Sequence, residues 1–87
     1  MRVEVLIFGK AAVSAKSDRV AVEVTGKGSC VTVRDVLRAL HEQHPALRFA
    51  LPDPDSGRLA VNQAFAKADE AIEPGDEVAL VTLVGGG

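Results

Sequence analysis

Alternation of apolar and polar residues near the start of the chain predicts two β-strands. Over residues 3–8, valine and isoleucine occupy one side of an extended chain, and Leu6 and Phe8 stand on the other side. Residues 19–24 repeat the pattern, with valine at every second position. The small and polar residues between them, 9–18, are typical of a loop. We therefore expect a hairpin of two strands joined by a long connection.

After the predicted hairpin, the apolar residues recur with the period of an α-helix. Thr32 stands three residues before Asp35, which is the spacing of an N-cap followed by an acidic first turn. Pro45 disfavours helical geometry at His44 and ends the segment there. The apolar face of this helix follows the i, i+3, i+4, i+7 spacing and consists of Val33, Val36, Leu37 and Leu40.

The second half of the chain predicts shorter elements separated by turns. They are a helical turn over residues 46–51, a loop over 52–57, a strand over 58–61, a tight turn at 62–63 into residues 64–66, a type II turn over 73–76 and a last strand over 77–84. This order predicts an α+β fold, with a mixed sheet packed on one main helix. We expect residues 1–84 to form one domain and residues 85–87 to form a flexible glycine tail.

Composition narrows the classes of partner. The chain has 87 residues, 47% of them hydrophobic, which suits one small globular domain. Its net charge of −2 gives it no positive field to attract nucleic acid. Its three aromatic residues are few for base stacking. No apolar run approaches the roughly 18 residues of a membrane helix. We therefore expect a cytoplasmic protein that binds neither nucleic acid nor a membrane.

Metal and thiol chemistry have little support in the sequence. Cys30 is the single cysteine, so the chain can form neither an internal disulfide nor a thiolate cluster. His41 and Glu42 begin like a zinc-protease motif, but Pro45 stands where the second histidine is needed. We predict no metal site, and we interpret Cys30 as a small packed residue.

Three glycines at the carboxyl end carry the most informative chemistry. They directly follow a predicted apolar strand, and without Cβ atoms they form a tail thin enough to enter a narrow channel. Three extended residues reach roughly 10 Å. The unhindered carboxylate of Gly87 suits activation by another enzyme. The alternative interpretation is a frayed chain end.

Five segments together resemble the small subunit of molybdopterin synthase. They are Val5-Leu6-Ile7-Phe8, Thr32-Val33-Arg34-Asp35-Val36-Leu37, Leu59-Ala60-Val61-Asn62-Gln63, Pro74-Gly75-Asp76-Glu77-Val78-Ala79 and the glycine end. The resemblance spans nearly the whole chain in the same order. It implies the ubiquitin-like β-grasp fold.

This resemblance also implies a function. In that family an E1-like enzyme consumes ATP to adenylate the terminal glycine, which a sulfur donor converts to a thiocarboxylate. The large catalytic subunit then passes the sulfur to a pterin precursor of the molybdenum cofactor. Gly87 would carry the sulfur and Gly86 would be its slim neighbour. The chain would be a protein cosubstrate with no catalysis of its own and no bound cofactor, in a heterotetramer with the large subunit.

The strand pattern and the resemblance together predict a surface that binds the large subunit. One helix covers one face of a sheet, so a second apolar face stays open. The residues assigned to the partner interface are Phe8, Phe65, Val81, Leu83 and Gly85.

Two departures from the family and two other functions remain open. The family commonly has prolines and an aromatic residue before its tail, whereas this chain has Leu80 to Val84. Its third glycine leaves open whether Gly86 or Gly87 is the working end. A carrier that delivers sulfur to thiamine or transfer RNA would share the tail, although the loop over 52–57 favours the pterin. A ubiquitin-like modifier or interaction domain without sulfur chemistry would share it too.

Overall fold

The computed structural model describes residues 1–26, 30–51, 53–55 and 59–80. The elements of this part of the chain are, in order, β1 (Arg2–Leu6), α1 (Gly9–Ala15), β2 (Arg19–Glu23), β3 (Val31–Thr32), α2 (Val33–Gln43), a 3₁₀-helix (Pro45–Ala50), β4 (Leu59–Val61), β5 (Ala64–Ala66), β6 (Ala71–Ile72) and β7 (Val78–Leu80). None of the helices in these ranges combines the length and the apolar run needed to cross a bilayer.

Five of the strands form one mixed sheet, as the sequence predicts. Their order is β2-β1-β7-β4-β5. The first strand and the last, β1 and β7, pair in parallel, and the other neighbours pair antiparallel. The short strands β3 and β6 form a separate antiparallel pair. This arrangement places β7 in the middle of the sheet, between β1 and β4.

Helix α2 covers one face of this sheet. Its N-terminus is a capping box, in which the Asp35 backbone N–H donates to Thr32 Oγ1 and the Thr32 N–H donates to the Asp35 carboxylate. The helix ends at Gln43, before Pro45. Its buried side chains, which join the sheet in one core, are Val33, Val36, Leu37, Ala39 and Leu40. The predicted cap, apolar face and end are confirmed.

Two predicted turns also have the expected backbone. Asn62 and Gln63 have φ angles of 52° and 68°, so the β4–β5 hairpin closes through a two-residue turn with both central residues in the left-handed region. In the turn over residues 73–76, Gly75 has a φ of 91° and the Asp76 N–H donates to the Glu73 carbonyl. These turns fix the register of the strands on either side.

Two expectations for local structure are wrong, and one strand pairing was not predicted. Residues 9–18 are not all loop, because Gly9–Ala15 form α1. Its small residues show no strong helical period, and its N-cap residue Phe8 provides no side-chain hydrogen bond, so the usual helix signals are weak. The pair β3 and β6 was not predicted, since two-residue strands have no readable alternation. Cys30 is exposed rather than packed.

The outer edge of β2 is capped by side chains from the end of α2. The Gln43 side-chain amide donates to the Glu23 carbonyl at 2.7 Å and accepts from the Glu23 N–H at 3.0 Å, as a neighbouring strand would. His44 Nε2 lies 3.0 Å from the Ala21 carbonyl oxygen. These contacts occupy backbone groups that an incoming strand would otherwise use.

The backbone at Gly26 lies so close to that of Cys30 that one added methyl group should destabilise the fold. A Cβ at this position would overlap the backbone carbonyl of Cys30, which cannot move without the start of β3. We expect Gly26→Ala to destabilise the domain by about 1–3 kcal/mol, which thermal unfolding would show as a Tm lowered by several degrees. Thr25→Ala, at the exposed neighbouring position, is the control and should change stability by no more than about 0.5 kcal/mol. Equal melting temperatures for the two variants would contradict this close approach.

Candidate docking surface on the open face of the sheet

The face of the sheet opposite α2 carries one continuous row of apolar side chains. Leu6 of β1 pairs with Ala79 of β7. Ala79 pairs in turn with Ala60 of β4, and Ala60 pairs with Phe65 of β5. Side chains alternate between the faces of a strand, so these four point away from their buried neighbours. We call Leu6, Ala79, Ala60 and Phe65 the apolar row.

The β5 end of this row is its most exposed part. Leu6, Ala79 and Ala60 are half-buried, whereas Phe65 is 74% exposed. An aromatic side chain that stays so exposed to water contributes little to the folding stability of the free chain. Phe65 thus lies on the open face, and its assignment to the partner interface stays a prediction.

Phe8 takes a different position from the one its alternation with Leu6 suggested. Strand β1 ends at Leu6, and Phe8 is the N-cap residue of α1. Its side chain is 54% exposed, but it does not belong to the sheet. Because β1 and β7 are parallel, Phe8 follows β1 at the same end of the sheet at which β7 ends.

The remaining predicted site residues lie outside the described part of the chain. They are Val81, Leu83, Gly85, Gly86 and Gly87. Their assigned roles stay predictions. The described chain leads to them through Leu80, which is fully buried at the end of the central strand β7.

Two sequence segments that carry the family resemblance meet in a hydrogen-bonded clip. The Asn62 N–H donates to the Glu77 carbonyl at 2.7 Å, and the Glu77 N–H donates to Asn62 Oδ1 at 3.0 Å. Asn62 Nδ2 also donates to Asp76 Oδ1 at 3.2 Å. The clip fastens the β4–β5 turn to the start of β7. It holds the apolar row in register next to the strand that leads to the tail.

A polar row runs beside the apolar row, on the side away from the end of β7. Glu4 precedes Val5 and Glu77 precedes Val78, and Val5 and Val78 are partners in the parallel pairing. Both glutamates are exposed. Glu4 accepts a hydrogen bond from Arg19 at 3.3 Å. Arg2 shares this face with Glu4, and Arg19 is the β2 partner of Leu6, so charges of both signs lie beside the apolar row.

Two further observations on the described residues bear on where a functional surface lies. Within residues 1–26, 30–51, 53–55 and 59–80, no group of three His, Cys, Asp or Glu side chains is placed to share a metal ion. A groove of about 290 Å³ lies at the end of the sheet where β1 begins, between Met1–Glu4 and Ile72–Asp76. It contains none of the four residues of the apolar row, and the exposed aromatic ring of Phe65 makes that row the stronger candidate for a functional surface.

Sequence reasoning missed Ala60 and the Asn62 clip. Both depend on which strand lies beside which, and local alternation does not give that. One signal was available for the clip. Asparagine accommodates a left-handed backbone, and at such turns its side chain hydrogen-bonds nearby backbone groups.

Comparison with known proteins adds a family and three related structures. The profile of the ThiS family matches residues 5–87. The crystal structure of SAMP1 from Haloferax volcanii superposes with a TM-score of 0.76 at 36% sequence identity, over 100% of both chains. A structure of H. volcanii small archaeal modifier protein 1 gives a TM-score of 0.69 at 35% identity, over 90% of this chain and 92% of that chain.

A third related structure is more distant in sequence. The putative molybdopterin converting factor, subunit 1, from Pyrococcus furiosus has a TM-score of 0.74 at 21% identity, over 97% of this chain and 99% of that chain. At this identity the likeness is one of fold. No curated protein matches the chain. The predicted ubiquitin-like β-grasp fold is confirmed, and the chain belongs to the ThiS family of ubiquitin-like sulfur carriers.

Proposed function

We propose that this chain carries sulfur as a thiocarboxylate on Gly87 and delivers it for the synthesis of molybdopterin. The observation that carries the proposal is the family match over residues 5–87, which includes the glycine end. The resemblance of five segments to the small subunit of molybdopterin synthase favours the pterin among the substrates that such carriers serve. The β-grasp likeness to the P. furiosus protein is compatible with this choice.

The proposed reaction proceeds in two balanced steps at one carbon atom. A carboxylate oxygen of Gly87 attacks the α-phosphorus of ATP, and pyrophosphate leaves to give an acyl adenylate. A sulfur nucleophile then attacks the carbonyl carbon, and AMP leaves with the C–O bond electrons. The E1-like adenylating enzyme binds the ATP, and this chain supplies the acyl group. The large subunit of the synthase would then take the sulfur, and water would restore the carboxylate.

The geometry of the sheet is compatible with presentation of the glycine tail to a partner enzyme. Strand β7 is held on both sides, by β1 and by β4, and the Asn62 clip fastens its start. A partner that covers the apolar row therefore receives the chain after Leu80 from a fixed point. Such positioning matters because a misplacement of about 1 Å at a reacting atom can slow a step about a hundredfold.

A second function has one specific observation in its favour. The two Haloferax structures, at 36% and 35% identity, are of a small archaeal modifier protein. A modifier would use the same activated glycine, but a lysine amine would replace the sulfur nucleophile and an isopeptide bond would form. The two functions share the activation step and differ in the acceptor.

The experiment that tests the proposal is intact-mass analysis after activation. We expect the chain, incubated with ATP, sulfide and the adenylating enzyme of its own host, to exchange one terminal oxygen for sulfur. Tandem mass spectrometry should place the sulfur on Gly87. The control Cys30→Ala should react equally well, although Cys30 is the exposed thiol. Addition of the large subunit and the pterin precursor should then yield molybdopterin.

Three results would contradict the proposal. No mass gain would exclude activation of the glycine end, and a gain located on Cys30 would indicate thiol chemistry. Isopeptide links to lysines of other host proteins, without molybdopterin, would favour the modifier.

A further inference from the structure

Strand β1 extends beyond the start of its neighbour β7. The parallel pairing of the two strands begins only at Val5 and Val78. Before Val78 the chain turns, and the Asp76 N–H donates to the Glu73 carbonyl instead of pairing with β1. The first residues of β1 therefore have a neighbouring strand, β2, on one side only.

The pairing with β2 shows which backbone groups of β1 lie on the unpaired side. Met1 and Val24 exchange two backbone hydrogen bonds, so Arg2, the next residue, directs its N–H and its carbonyl away from β2. Glu4, two residues further along the strand, directs its backbone groups the same way. The Arg2 N–H, the Arg2 carbonyl and the Glu4 N–H form no hydrogen bond with any described residue. Three positions of the ladder are thus open.

These open backbone groups lie beside the groove of about 290 Å³ between Met1–Glu4 and Ile72–Asp76. Ligand pockets usually have volumes of roughly 300–1,000 Å³, so this groove suits a short segment rather than a large ligand. The turn over residues 73–76 forms much of the opposite wall. An extended peptide binds such an unpaired strand edge as an additional strand, through main-chain hydrogen bonds.

The floor of the groove leaves little room for the side chains of an added strand. Successive residues of that strand would alternate between the open face and the core. Those that face the core would meet Val3 and Ile72, which line the groove and are each only 5% exposed, so this layer is already packed. Glycine has no Cβ and requires no space there. The groove therefore favours glycine.

We propose that this groove binds the glycine end of a second copy of the chain, residues 85–87, as an added strand. The seven residues after Leu80 reach roughly 23 Å when extended, which is enough to leave one domain and enter another. The Arg2 and Glu4 N–H groups donate to carbonyl oxygens of the incoming tail, and the Arg2 carbonyl accepts one of its N–H groups. A tail held in this way is withheld from any other enzyme until it dissociates.

This contact joins two different surfaces, the groove of one copy and the tail of the next. Such a heterologous contact does not close on itself as a two-fold dimer does, so copies associate head to tail. The contact requires no chemical activation of the tail. It therefore stands or falls independently of the sulfur chemistry proposed above.

The first test is a titration of the ¹⁵N-labelled full chain with the synthetic peptide acetyl-Leu-Val-Gly-Gly-Gly, followed by NMR. We expect the amide resonances of Arg2 and Glu4 to shift as the peptide is added. Their amide hydrogens should also exchange with solvent about fivefold more slowly or less, because both become hydrogen-bonded. The control peptide acetyl-Leu-Val-Ala-Ala-Ala carries three Cβ atoms and should bind more weakly. Equal binding of the two peptides, or no shift at Arg2 and Glu4, would overturn the inference.

Two variants at Arg2 distinguish recognition by the backbone from recognition by the side chain. Arg2→Pro removes an N–H that has no described partner in the free chain, so the Tm should change little. It also places the proline ring where the tail would lie, and we expect the peptide to bind at least about fivefold more weakly. Arg2→Ala keeps the N–H and should bind within about twofold of the unchanged chain. Equal affinities of the two variants would contradict pairing at this edge.

Sedimentation equilibrium tests whether a second copy is the occupant. We expect the full chain to associate as its concentration rises and a chain without residues 85–87 to remain a monomer. Association that survives this deletion would place the contact elsewhere, for example on the apolar row, and would overturn the inference. A monomeric full chain in which the deletion still speeds exchange at Arg2 and Glu4 would show that the tail binds its own domain. The second copy would then be the wrong occupant.

Discussion

Removal of Gly87 is expected to slow formation of the thiocarboxylate by about a hundredfold or more while the fold is unchanged. The deletion shortens the tail by roughly 3.5 Å. A reacting carbon displaced that far leaves attacking range, since about 1 Å of misplacement can already slow a step by two orders of magnitude. Intact-mass kinetics with the adenylating enzyme would measure the rate. Circular dichroism would verify that the domain, whose described core lies within residues 3–80, still folds.

A substitution at Gly86 distinguishes the effect of a shorter tail from the effect of a wider one. Gly86→Ala keeps the length of the tail and adds one Cβ where the chain would pass between the walls of a partner. We expect it to slow activation while unfolding stability changes by no more than about 0.5 kcal/mol. The deleted chain still ends in Gly85 and Gly86. Full activity of the deletion variant would therefore show that Gly86 can serve as the working end.

The parts of the fold that local chemistry determines were predictable from the sequence. Helix α2 has a large apolar face, a Thr32–Asp35 capping box and a proline after its end, so three independent signals agree. The turns at Asn62 and Gly75 use residues that accept a positive φ. Helix α1 was not predicted, because its stability depends on packing of Ala12 and Ala15 against the core rather than on a periodic pattern.

Of the functional surface, only the features that depend on alternation within a single strand were predictable from the sequence. Alternation indicated that Leu6 faces away from the valines of β1, and the structure places Ala79 of β7 beside it. The extension of the row through Ala60 to Phe65 required the order of the strands. Parallel pairing of β1 with β7 joins the first and the last strands of the described chain, and no local pattern encodes such a pairing.

The same strand order explains why the open face rather than the β2 edge is the candidate for a partner. The edge of β2 is occupied by the Gln43 and His44 side chains. A strand added there would have to displace these contacts. The open face has no such cover in the described part of the chain, and among its large apolar side chains Phe65 is the most exposed.

Replacement of Phe65 by aspartate should weaken binding to the adenylating enzyme more than any other single change on this face. Aromatic side chains that become fully desolvated are frequent hot spots, and truncation of one weakens binding by about 2–4 kcal/mol, or roughly thirty- to a thousandfold. Phe65 lies outside the core, so the free Phe65→Asp chain should remain folded. Isothermal titration calorimetry would give the Kd.

Phe49→Asp is the control that makes this result specific to the apolar row. Phe49 is 62% exposed on the 3₁₀-helix, which does not belong to the sheet, so the change removes an aromatic ring and adds a charge away from the row. We expect its Kd to stay within about twofold of the unchanged chain, in keeping with a surface substitution outside an interface. If Phe49→Asp weakened binding and Phe65→Asp did not, the partner would dock on the side formed by the 3₁₀-helix. In that case the apolar row would be no more than an exposed face of the sheet.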